Sequence, residues 1–277
     1  MINCNYLECN EVILFNNITE EKNDPYKTTL RIINVRVLAC YDEYLTNFES
    51  LQEKLHSSFV TEVDEIDTLK KCYINKTNTF KYVRGQIFKI QPDVLKNFCP
   101  YCLIGEPETI DHYITKNEFP EYSALIKNLI PCCYSCNNKK DEIWRKNKKR
   151  RYIHFYNDTF LTEKFLHAKL VIKRGQTTPK IIFYLSKSIT MNASDFRIVK
   201  MHFKDLELLN KYNRKANSLL STEIQVIRQS IIDGIAIEDI NYNLNIRYNT
   251  LINDYGINYW SAILYNVLAN YDITRIS

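Results

Sequence analysis

A chain of 277 residues, 45% hydrophobic and 25% charged, can bury a sizeable core and reads as a folded soluble protein. No apolar run approaches the roughly 20 residues that span a bilayer, and no signal peptide is evident, which argues against membrane and secreted classes and for a reducing cytoplasm. The net charge of +5 is local: eight Lys or Arg and two acids lie between Lys139 and Arg151, a segment of +6 that leaves the remainder at −1.

Residues 1–92 read as mixed and mainly helical. Glu11-Val-Ile-Leu-Phe15 predicts a strand, and Asn17, Asn23, Asp24 and Pro25 a polar turn. From Tyr26 to about His56, Leu30, Ile33, Val37, Leu38, Tyr41 and Leu45 recur at three and four, one face of a helix. A further helix is expected over Phe59–Cys72 and a loop over Asn75–Asn78, while Phe80–Gly85 fits either class. Pro92 suits the first turn of a short helix, Asp93–Phe98, that delivers the chain to Cys99.

Residues 93–160 carry the chemistry. Cys99/Cys102 and Cys133/Cys136 are two Cys-x-x-Cys pairs with 30 residues between them. Such knuckles offer four soft ligands to one structural Zn²⁺, and Pro100 and Pro131 suit the turns. Cys132 would make a poorer knuckle and is left out; Cys4 and Cys9 read as ordinary thiols. A zinc held by four thiolates has no open position, so any chemistry must come from other residues. Asp111 and His112 sit in Glu108–Ile114, a predicted strand. Asn128 opens a short apolar run into the second knuckle, and Asn137 begins a predicted helix through Trp144.

Asp111-His112, Asn128 and Asn137-x-x-Lys140, framed by the two knuckles, resemble the HNH endonucleases with a ββα-metal active site. The eight residues between Asn128 and Asn137 are typical of that family, and the 15 between His112 and Asn128 fall in its range. The resemblance covers about 45 residues. It implies an α+β fold, a zinc-stabilised ββα-metal core embedded in a mostly helical chain. It also implies metal-dependent hydrolysis of phosphodiesters, with His112 as the base and Asp111 and Asn137 as ligands to Mg²⁺ or Mn²⁺. Asn128 would hold the loop and orient His112 through its amide. Asn137 stands where many relatives have His, a departure that favours magnesium over a catalytic zinc.

A polyanion is expected along Lys139, Lys140, Arg145, Lys146, Lys148, Lys149, Arg150 and Arg151. The expected substrate is DNA, with RNA as an alternative; a silent zinc-stabilised binding module is the rival of another class. A weaker match, Tyr152–Asp158, looks like a segment of the HNH subunits of Septu-like anti-phage systems, which pair the nuclease with an ATPase. By chemistry alone, His154 and Asp158 offer either a phosphate contact or a structural turn.

Residues 161–193 predict a β-hairpin, Phe165–Lys173 and Lys180–Leu185, with a turn at Gly175–Pro179; His167 on the first strand has no obvious partner. Residues 194–277 are read as helical, starting at Ser194-Asp195 and punctuated near Gly234 and Gly256. This tail or the N-terminal helix is where an ATPase partner would dock.

Overall fold

The computed structural model describes residues 1–59, 63–74, 76–172 and 179–272, and these form two compact units. One comprises residues 4–157 and the other residues 1–3 with 158–277. Small antiparallel sheets and ten described α-helices make the chain α+β. No described helix is long and apolar enough to cross a membrane.

In the first unit, Glu11–Phe15 is helical and opens α1 (Glu11–Glu20), against the expected strand. Local chemistry explains the difference: Asn10 caps the helix by accepting from Ile13 N, and Leu14, Phe15 and Ile18 bury at helical spacing. The five-residue apolar run is too short for periodicity to separate the two classes. Helix α2 (Tyr26–Thr46) packs on α1 with Leu30, Ile33, Val37 and Tyr41 buried as the spacing required; Leu45 is exposed. A 3₁₀ turn, Phe48–Glu53, follows.

Helices α3 (Val63–Ile74) and α4 (Asn78–Lys89) come next, so the ambiguous Phe80–Gly85 is helical, started by the Thr77 hydroxyl on Phe80 N. Of the loop expected at Asn75–Asn78, Asn75 lies outside the described residues and Asn78 already belongs to α4. Pro92 caps α5 (Asp93–Asn97). Strand β1 (Thr109–His112) then pairs with β2 (Leu129–Cys132), and α6 (Tyr134–Lys140) follows, a ββα unit. Helix α6 begins three residues before Asn137 and ends at Lys140, so Ile143 and Trp144 lie beyond it. Part of the basic segment forms a hairpin, β3 (Arg145–Lys146) with β4 (Lys149–Arg150). Its turn, Asn147-Lys148, has φ of 51° and 54°, the left-handed pair that two-residue hairpins favour.

In the second unit, the expected hairpin forms as β5 (Leu166–Val171) and β6 (Lys180–Leu185), with its turn residues 173–178 outside the described set. His167 does find a partner: its ring stacks on Tyr184 directly across the ladder. Helices α7 (Ala193–Asp205), α8 (Leu208–Ile232), α9 (Ile237–Tyr255) and α10 (Trp260–Ala269) complete the unit. Asn213 and Asn217 of α8 accept from Phe183 N and Ile181 N, which satisfies the outer edge of β6. Gly256 takes φ of 82°, and a Cβ there would meet Met1 O at 2.6 Å, so both conformation and space demand glycine.

Candidate active site

The four cysteines of the knuckles come together. Sγ of Cys99, Cys102, Cys133 and Cys136 all lie within 4.8 Å of one another and are buried. Leu103 N and Cys102 N fold back on Cys99 O, and Cys136 N and Asn137 N on Cys133 O, so each knuckle is closed by its own backbone. Gly105 is the close approach: a Cβ there would stand 3.0 Å from Cys133 Cβ and 3.2 Å from its sulfur. Hydrogen bonds from the neighbouring thiols lower the Cys133 thiol, while burial raises that of Cys99, so without an ion the four sulfurs share their protons, and a metal would bind them as thiolates. This donor set is compatible with a structural zinc. Cys132 stays outside it, buried with its sulfur on Thr109 Oγ1.

The cluster fixes the start of α6, and the β1–β2 ladder fixes the other side of a cavity of about 350 Å³. Asp111, His112 and Asn137 all line it, together with Tyr73, Lys116 and Asp141. His112 is 8% exposed, and its Nε2 lies 3.0 Å from Ser123 O. A carbonyl only accepts, so Nε2 carries the proton and Nδ1 keeps its lone pair. Burial pushes the imidazole down to about 3, with the charge of Lys116 acting the same way, so the ring is a neutral acceptor.

Asp111 is 2% exposed and held from two sides. Tyr101 Oη donates to its Oδ2 at 2.6 Å, and Lys140 Nζ reaches the carboxylate at 3.0 Å and also donates to His112 O. Asn137 donates from Nδ2 to Thr109 Oγ1 at 3.1 Å and, more weakly, to Ile110 O, leaving Oδ1 as an acceptor on the pocket side of α6. A carboxylate and an amide oxygen are hard donors, and two protein ligands with the other positions left to water and phosphate suit magnesium or manganese. The donor chemistry fits such an ion, although Lys140 already offsets part of the Asp111 charge.

Asn128 makes the loop contacts expected of it but no direct bond to His112. Its Nδ2 donates to Ile114 O and Tyr122 O, and its Oδ1 accepts from Ile114 N and from Tyr44 Oη. The bonds to Ile114 and Tyr122 clamp the loop between β1 and β2, the bond from Tyr44 ties it to α2, and none touches His112. Its bond to Tyr122 O fixes the residue next to Ser123, whose carbonyl meets His112.

The eight basic residues divide. Lys140 is fully buried on Asp111. Arg150 is 2% exposed, with Nη2 on Glu49 and Nη1 on Tyr113 Oη. Arg145 donates to the carbonyls of Leu51, Gln52 and Lys54 and pairs with Glu118. These three do not present free charge to a phosphate; they anchor the hairpin to the 3₁₀ turn at Phe48–Glu53 and hold Asp111. Lys139, Lys146, Lys148 and Lys149 are exposed, and Arg151 is half-buried. His154 is fully buried, its ring against Phe48 and Tyr113 at 4.6 and 4.4 Å, and its Nε2 bonds Tyr44, which bonds Asn128. It is part of the floor beneath the site rather than a phosphate contact. Sequence reasoning missed Ser123, whose contact is a backbone carbonyl and leaves no side-chain signal. It also missed Tyr101, Tyr73 and Lys116, none of which lies in a recognisable pattern.

Residues 99–142 match the family model of the HNH endonucleases, so this segment carries an HNH domain. Over an alignment of 187 residues the chain is 30% identical to protein ea31 of Escherichia phage lambda, a match that covers 62% of this chain. It spans 61% of that protein's length. No solved structure matches the chain.

Proposed function

We propose that this protein is a metal-dependent endonuclease that hydrolyses phosphodiester bonds of DNA, with the reaction centred on His112. The observation that carries the reading is that Asp111, His112 and Asn137 line one pocket inside the segment matched by the HNH family. His112, held as the Nε2–H form by Ser123 O, presents Nδ1 to take a proton from water. Asp111 and Asn137 would hold a magnesium or manganese ion, which when bound neutralises charge on the phosphate and on the departing 3′ oxygen. Tyr101 and Lys140 keep Asp111 in place for that role, and Asn128 keeps the His112 carbonyl partner in place. Lys139, Lys146, Lys148, Lys149 and Arg151 supply the sequence-independent attraction for the backbone. Nothing in this scheme needs a 2′-hydroxyl, so the chemistry runs on DNA, and RNA is the alternative substrate.

A place in anti-phage defence beside an ATPase rests on the likeness of Tyr152–Asp158 to Septu-like HNH subunits. The rival reading is a nuclease that works without a partner. Copurification with the product of an adjacent ATPase gene separates the two.

The chemistry is tested on plasmid and single-stranded DNA with Mg²⁺ or Mn²⁺. The intact chain yields 5′-phosphate ends, and His112→Ala loses on the order of 10²–10⁴ in rate. Undiminished cutting by His112→Ala, or 2′,3′-cyclic phosphate products from RNA, overturns the proposal.

A further inference from the structure

Apart from Lys140, which is buried on Asp111, the positive charge on the His112 side of the pocket does not come from the basic run at 139–151. It comes from three residues scattered through the sequence: Lys76 between α3 and α4, Arg84 within α4, and Lys116 in the loop after β1. They group around one ring. Lys76 Nζ and Lys116 Nζ each lie 5.9 Å from the centroid of Tyr73. The Tyr73 ring meets His112 edge-on at 4.3 Å and Phe80 at 5.5 Å, and Arg84 stands one helical turn beyond Phe80. Lys116 and Tyr73 themselves line the pocket that holds His112.

Among the described residues, none of these three cations has an acidic partner within ion-pair distance. Their charges act on one another: with burial, Arg84 and Lys81 depress the Lys76 ammonium. Unneutralised like charges held together by a fold cost free energy, and an arriving anion offsets it. Asp141 and Glu142, which follow α6, also line the pocket, and a polyanion is drawn to the cations beside Tyr73 rather than to these acids.

We infer that Lys76, Arg84 and Lys116, grouped around Tyr73, form a second phosphate subsite that holds the nucleic-acid strand beside the scissile bond. This rests on the nuclease reading above and adds the track of the substrate, which crosses the helices preceding the HNH segment. The subsite contacts backbone and not bases, so it contributes affinity without sequence preference.

The test is fluorescence anisotropy of a labelled DNA duplex without added magnesium, as a function of salt. Each lost phosphate contact lowers the slope of log K against log salt by about 0.9. The Lys76→Gln/Arg84→Gln/Lys116→Gln variant is expected to bind ten- to a hundred-fold more weakly at low salt, with a slope reduced by about 2–3. Lys116→Gln alone, with unchanged melting and zinc content, lowers it by about 1 and guards against a triple variant that misfolds. Wild-type slope and affinity in a folded triple variant overturn the subsite. If that variant also cuts DNA at the wild-type rate, the nuclease reading survives and the subsite alone is lost. A wild-type chain that binds with the full slope, loses it in the variants and cuts nothing with any divalent ion keeps the subsite and overturns the nuclease reading. Failure of the wild type to bind any polynucleotide removes both.

Discussion

Asp111 shows why single residues near a site resist assignment from composition. A buried carboxylate must be paired or protonated, and here Lys140, 29 positions on, and Tyr101, ten positions back, supply the partners. Counted along the chain, Lys140 belongs to a basic run; in space it is the counter-ion of the proposed metal ligand. Removing one member of a buried pair leaves the other uncompensated, which costs about 3–5 kcal/mol. Lys140→Met is therefore expected to lower the urea unfolding free energy by that amount. Lys148→Met, on the exposed hairpin turn, should change it by less than about 0.5 kcal/mol. Equal effects for the two would mean that the Lys140–Asp111 pair carries no structural weight. That Asp111, His112 and Asn137 meet in one pocket was legible because they stand at family spacing. What each one touches was not, because Ser123 O, Tyr44 and Lys140 reach them from positions that spacing does not encode.

Elements were legible where an apolar stripe ran for several turns and illegible where it was short. The β5–β6 hairpin lies where the pattern put it, and helix α2 starts where expected but ends at Thr46, short of the expected His56, where the chain turns into the 3₁₀ segment Phe48–Glu53. Helix α1 was misread because the signal that decides it is a polar cap, Asn10, and a long-range anchor at its first residue. Glu11 is 6% exposed, accepts from Tyr6 Oη at 2.9 Å, and faces Ile126 N in the segment leading to Asn128. Burial raises its carboxyl from 4.5 to about 7, against the hydrogen bonds from Tyr6 and the 126–127 backbone, which lower it. A carboxyl raised in the folded state favours folding when protonated. Its contribution is complete below about pH 4.5 and is lost as pH rises through about 7. The loss is on the order of 3 kcal/mol. Glu11→Gln keeps an acceptor and removes the titration. Melting curves at pH 5 and pH 8 should show the wild type losing more stability than the variant over that interval; parallel losses would contradict the assignment.

At the scale of the whole molecule, the basic run read as one nucleic-acid surface is divided by the fold into anchors and exposed lysines. The division into two units could not be read from composition, because no linker separates them and residues 1–3 belong with 158–277. The units differ in what holds them. The 158–277 unit closes on long helices with their own buried faces, Leu220, Ile224 and Ile227 of α8 and Ile263, Leu264 and Leu268 of α10. In the 4–157 unit, two four-residue strands and a seven-residue helix are too short to be stable alone, and the four-cysteine cluster is what ties α6 to the segment preceding β1. A zinc bound there makes its binding energy part of the folding energy of that segment, about 10 kcal/mol or more in small zinc domains. Stripping the metal with a strong chelator should therefore abolish hydrogen-exchange protection in β1, β2 and α6 first. Nuclease activity should fall with it, while α8 and α10 keep their protection. Magnesium alone would not restore activity, and zinc followed by magnesium would. Loss of protection in both units together, or none in β1, β2 and α6 after the metal has left, would show that the cysteine cluster is not what holds the site in shape.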